Sequence, residues 1–210
     1  VSSLSVTAGL INDRYMKMDL ETMRELTSNP ALLDRNLDGY TEQLNRNSTG
    51  IKMGANLSLR SASQTAKGFD REIRFGAFYS TREPIVSYNN TEGDVYNSII
   101  FCNMVNEISV DGAFILSKRS ARFKRFRMYA GLGMSVGSTY NNKSVVLTSS
   151  YGEEPEDITN TEDRYQGKSS LISRVYIPLG IEYSLLKRIA IGVESNIGTG
   201  MQNIYGGKSY

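Results

Sequence analysis

From Phe126 to Val136 every even-numbered residue is apolar, while the odd positions hold Arg127, Tyr129, Gly131, Gly133 and Ser135. A period of two belongs to an extended strand, whose successive side chains point to opposite sides. A helix would scatter the same residues around its circumference. The segment is therefore a strand with one oily and one polar face, and this constrains the fold more than any other feature of the chain.

The pattern recurs in seven segments. Leu4, Val6, Ala8 and Leu10 share a face in the first, and Ile51, Met53, Ala55, Leu57 and Leu59 in the second. Ile73, Phe75, Ala77 and Tyr79 do so in the third. A long fourth segment, 95–117, places Ile108, Val110, Phe114 and Leu116 opposite Glu107, Ser109 and Asp111. The fifth is the 126–136 segment, extending to about 140. Leu171, Val175, Ile177, Leu179, Ile181, Tyr183 and Leu185 mark the sixth, and Ile189, Ile191, Val193 and Ile197 the seventh.

The connections alternate in length. Stretches 12–50, 84–94 and 141–167 read as long, and 61–71, 118–125 and 186–188 as short. An up-and-down meander elaborated at one end gives this alternation. Met16, Leu20, Met23 and Leu26 recur at helical spacing in the first long connection, and Asn29-Pro30 is expected to end that helix. The acidic stretch from Tyr151 to Asp157 reads as a solvated loop. At 210 residues the chain fits a single domain, 1–210.

Alternation alone leaves open which face meets water. Gly9, Gly54, Gly76, Gly131, Gly133, Gly137, Gly180, Gly192 and Gly198 lie on the polar faces, and Gly112 on an apolar one. Glycine weakens a strand and gains nothing on an open aqueous face, whereas inside a narrow barrel it leaves room for larger side chains. The polar faces carry Lys52, Arg60, Arg74, Arg127, Arg174 and Arg188 against Glu72, Glu107, Asp111, Glu182 and Glu194. That near-balance suits a closed, mutually paired interior. No Lys or Arg falls on the apolar faces of these segments, where a lipid contact would cost roughly 2–4 kcal/mol at mid-bilayer. The expectation is an all-β, up-and-down antiparallel transmembrane barrel of about eight strands. Turns on the periplasmic side are short; the extracellular loops are long, and the first is partly helical. Mean hydropathy of −0.34 is compatible, because alternating strands average out.

With these amphipathic strands, tight turns at one end, long loops at the other and a Gly-rich interior lined by Arg and Glu, the chain resembles small bacterial outer-membrane barrels. The eight-stranded OmpA/OmpX-like domain is the nearest type, together with porin-like barrel proteins of the Bacteroidota. The resemblance implies a multi-pass barrel in the outer membrane, in contact with its lipid and lipopolysaccharide. It also implies an even strand number. An eighth strand is expected either within Met201–Tyr210 or after Tyr210, the second being preferred. Val1-Ser2-Ser3 carries no trace of a signal peptide, which is expected to be absent or removed. Pro178 inside the sixth segment calls for a bulge or an unpaired N–H. The chain has no Trp, so Phe126 and Tyr183 are the candidates for an aromatic girdle.

Chemistry is sparse. There is no His and one Cys, which excludes a disulfide within the chain, Cys/His zinc sites and a histidine base. The interior carboxylates sit among arginines that hold them ionised. The outer-membrane barrel enzymes implied by the resemblance generally use a His, so no enzyme is expected. Lys52, Arg60, Glu72, Arg74, Glu107, Asp111, Arg127, Arg174, Glu182 and Glu194 are expected to form an ion-pair network that fills the lumen. Asp34, Asn36, Asp38, Gly39, Tyr40 and Glu42 match the first half of a calcium loop, but the twelfth position is Asn45. A side-chain-capped turn is the preferred reading there and a weak calcium site the alternative; no other cofactor is expected. The run Lys118, Arg119, Arg122, Lys124, Arg125 is read as a solvated turn, with lipid headgroups a better partner than nucleic acid. Cys102 is read as a packing residue.

The expected function is a plugged, non-enzymatic barrel. It would act through its outer loops and the 95–106 stretch, in adhesion, envelope integrity or docking to a partner membrane protein. A conduit for small or apolar solutes is the first alternative, and a soluble lipocalin-like binding barrel the second.

Overall fold

The computed structural model describes residues 2–14, 20–28, 37–43, 47–62, 68–120, 123, 125–152, 159–186 and 189–205. The elements in chain order are β1 (Ser2–Arg14), α1 (Leu20–Leu26), β2 (Thr41–Gln43), β3 (Asn47–Ser61), β4 (Asp70–Glu92), β5 (Val95–Arg119), β6 (Phe126–Tyr151), β7 (Thr159–Gln166), β8 (Ser170–Ser184) and β9 (Ala190–Ile204). All strands belong to one antiparallel up-and-down sheet with the path β1-β3-β4-β5-β6-β8-β9; β2 pairs with β4, and β7 with β6. Each alternating sequence segment became a strand of this path, because period-two patterning fixes which face a strand shows wherever it pairs.

The sheet is strongly curled. Arg74 on β4 is hydrogen-bonded to Glu194 on β9, and Arg174 on β8 lies 3.8 Å from Asp13 on β1. In a flat sheet β1 and β8 would stand roughly 24 Å apart, at ~4.8 Å per strand. No Arg–Asp pair reaches that far, so the polar face is concave. No pairing joins β1 to β9 among the described residues, so both keep a free edge. Because every step of the path is antiparallel, these two edge strands run in the same direction.

Polarity is inverted relative to a water-soluble protein. Glu72 and Glu107 are each 1% exposed on the concave side, while Leu10 is 90% and Val193 72% exposed on the convex side. Ile51–Leu59, Ile108–Leu116 and Met128–Val136 supply matching rows of exposed aliphatic residues, each about nine residues long.

Several stretches differ from the sequence reading. Residues 84–94 are not a loop: β4 runs on to Glu92 and turns directly into β5 through Gly93-Asp94, with Gly93 at φ 59 in the left-handed region that glycine tolerates. Alternation is less regular here, and Pro84 reads as punctuation. It is accommodated because the β4–β5 ladder lapses between Arg82 and Ile85 without changing register. Pro178 is handled likewise: β6 and β8 pair at Ala130–Leu179 and again at Gly133–Tyr176 in unchanged register, with no bulge between them. Most of 141–167 is also strand, since β6 continues to Tyr151 and pairs with β7. A true bulge lies between Met104 and Asn106, opposite Asn141 at φ 46, at the level where β6 exchanges β8 for β7 as its partner. The helix of the first connection is α1, seven residues; Met16, Asn29 and Pro30 lie outside the described residues. Met201–Ile204 extend β9, and 206–210 are also outside.

Candidate functional site

The concave face carries three layers of ion pairs. In the layer nearest the short turns, Glu72 on β4 accepts from Arg60 on β3 at 2.9 Å and from Arg127 on β6 at 2.7 Å. Arg127 also bonds Glu182 on β8 at 2.5 Å. Arg74 joins Glu72 at 3.4 Å to Glu194, which also accepts from the Tyr129 hydroxyl at 2.8 Å. The middle layer pairs Lys52 on β3 with Asp111 on β5 at 2.9 Å; Ser135 donates to Asp111 at 2.6 Å, and Lys52 stands 4.0 Å from the Phe78 ring centroid. In the third layer Glu107 on β5 takes Arg82 at 2.7 Å and both terminal nitrogens of Arg174, at 2.5 and 2.8 Å. Asp13 on β1 bonds Arg82 and closes this layer.

All ten residues singled out from the sequence therefore lie on one face and within ion pairs. Arg82 and Asp13 complete the set and were missed. Each continues its strand's inward parity, Arg82 after Phe78 and Ser80 and Asp13 after Gly9 and Ile11, so extending the alternation past the aliphatic rows finds both. Arg188 lies outside the described residues.

The concave-face glycines admit their neighbours. Gly133 and Tyr176 are cross-strand partners, as are Gly180 and Tyr129, and each ring lies where the glycine's Cβ would stand. A Cβ at Gly131 would meet the Phe114 carbonyl of β5. The glycines thus permit both the strand coiling and the aromatic filling.

Farther from the short turns the concave face becomes apolar. Met23 and Leu26 of α1 pack with Val86 and Tyr88 of β4, Ile99 and Phe101 of β5, Val146 of β6 and Ile204 of β9. Tyr88 and Phe101 meet edge to face at 5.8 Å. The Lys168 amide donates to the Leu26 carbonyl at 2.6 Å, fastening the helix end to the chain beside β7. Charges below and an apolar cap above thus fill the same trough.

Among the described residues no group of His, Cys, Asp and Glu is arranged to hold a metal ion. Of the calcium-like loop, Asp34, Asn36 and Asn45 lie outside the described residues; Gly39 adopts φ 80 and the Tyr40 amide donates to the Leu37 carbonyl at 3.0 Å, as in a tight turn. Cys102 is half-buried on β5 beyond the aliphatic rows, and burial, with Glu83 nearby, pushes its thiol up to about 11. A thiol held protonated is a poor nucleophile. Arg122 and Lys124 lie outside the described residues, whereas Lys118, Arg119 and Arg125 are exposed at the short-turn end.

No family model matches the chain, and no curated protein or solved structure matches it.

Proposed function

We propose that this chain is a non-enzymatic outer-membrane β-barrel of the small, OmpA/OmpX-like kind, with a lumen plugged by its own ion pairs. The observation that carries the reading is the inverted polarity: buried Arg, Glu and Asp inside, and continuous rows of exposed Leu, Ile, Val, Met and Phe outside. A contiguous apolar surface of this extent requires an apolar solvent or partner. Rows of about nine residues, in strands tilted near 45°, match a hydrocarbon layer roughly 25 Å thick. A soluble binding barrel needs the opposite arrangement of faces.

The free edges must be covered in lipid, because each unpaired backbone group there costs several kcal/mol. One further strand between β1 and β9 would be antiparallel to both and would make the strand number even. The long β4, β5 and β6, of 23, 25 and 26 residues, extend past the aliphatic rows with α1 packed against them. This projecting end is the surface proposed for adhesion, envelope stability or docking to a partner protein.

Cell fractionation followed by an alkaline carbonate wash tests the membrane reading. The chain is expected in the outer-membrane fraction and released only by detergent; a monodisperse monomer obtained without detergent overturns the proposal. Planar-bilayer recording tests the plug separately, and sustained single-channel openings would refute it.

A further inference from the structure

The two borders of the aliphatic rows differ in charge. Toward the short turns, the convex face of β4 passes from Ile73 to Arg71, and that of β5 from Leu116 to Lys118. Both cations are exposed, two residues beyond the last aliphatic side chain, a step of about 5 Å along the normal in a strand tilted near 45°. Arg119 and Arg125 are exposed beside them. At the opposite border the same face carries Asn12, Thr49, Thr81, Asn106, Ser138 and Tyr140, followed by charges of mixed sign, Arg14, Glu83 and Lys143.

At the first border aromatic rings stand among the cations. Lys118 Nζ lies 5.3 Å from the Phe69 ring centroid, Phe123 and Phe126 are 6.2 Å apart, and Phe126 and Tyr183 are 4.9 Å apart. Every arginine of the three concave layers is ion-paired, whereas Arg71, Lys118, Arg119 and Arg125 form no ion pair among the described residues. The neighbouring acidic residues Asp70 and Glu182 lie on the concave parity of their strands, turned away from this border.

We propose that Arg71, Lys118 and Arg125, with the ledge formed by Phe69, Phe126 and Tyr183, bind the phosphates of anionic phospholipid in the leaflet facing the short turns. The inference rests on the membrane reading and adds to it a lipid preference and an orientation. Rings of this kind settle at headgroup depth, and long cationic side chains reach from an apolar wall to the phosphate plane.

The test reconstitutes the full chain into vesicles of phosphatidylcholine alone and of equal parts phosphatidylcholine and phosphatidylglycerol. Spin-labelled lipids then measure which lipid is enriched at the protein surface. Phosphatidylglycerol is expected to be enriched, by about fivefold for each cation engaged, and the enrichment should fall with added salt. Inorganic phosphate at equal ionic strength should compete no better than chloride, since the site is built for a headgroup at the membrane. The variant Arg71→Gln/Lys118→Gln/Arg125→Gln should insert but lose the preference. Insertion of the unaltered chain into both vesicles with no lipid preference overturns this inference alone. Failure to insert into either overturns the membrane reading beneath it.

Discussion

Arg174 on β8 grips Glu107 on β5 through both terminal nitrogens, at 2.5 and 2.8 Å, across the intervening β6. Glu107 also holds Arg82 of β4, so one buried carboxylate ties three strands together. Glu107→Gln would leave two guanidinium groups without that charge, and removal of one member of a buried pair costs about 3–5 kcal/mol. The urea midpoint of the folded chain in detergent micelles should fall accordingly. Arg164→Gln, which breaks the exposed Arg164–Glu162 pair on β7, should not move it.

The concave-face glycines make a second contrast. An added Cβ at Gly131 meets the backbone of β5, whereas at Gly112, on the convex face, it meets nothing within 4 Å. Gly131→Ala is expected to destabilise by about 1–3 kcal/mol through overpacking. Gly112→Ala should be neutral or slightly stabilising, since alanine restricts the unfolded chain. Equal midpoints for the two variants would contradict the inward role of Gly131.

The cap formed by α1 should open separately from the sheet. Leu26 is 4% exposed within its apolar cluster, and Leu→Ala at such a site removes about 2 kcal/mol or more. In Leu26→Ala, amide exchange across 20–28 should accelerate roughly thirtyfold, the equivalent of that loss, while β5 from Ile108 to Leu116 keeps its protection. Uniform acceleration would mean that cap and sheet unfold as one.

Cys102 lies beyond the aliphatic rows, and its thiol is raised to about 11, by burial first and Glu83 second. At pH 8 iodoacetamide should therefore label the folded protein about two hundredfold more slowly than the urea-unfolded chain, whose thiol titrates near 8.5. The folded state keeps the proton longer. Stability from this group is thus complete below the unfolded value and is lost as pH rises toward 11. Rapid labelling of the folded form at pH 8 would contradict the burial.

Which residues face which side was legible in the sequence, because the period of two is a local property of extended backbone. It assigned Arg127 and Met128 to opposite faces and placed ten charged residues together. The folded sheet added what local pattern does not contain. Arg74 and Glu194 are 120 positions apart, and their contact depends on how sharply the intervening strands coil. That coiling rests on glycines opposite Tyr129 and Tyr176. Residues 84–94 and most of 141–151 read as loops because Pro84, Asn141 and Asn142 interrupt the rhythm, yet cross-strand hydrogen bonding continues around them. Alternation thus determined an inside and an outside; curvature, a long-range consequence of packing, decided which charges meet and that α1 caps them.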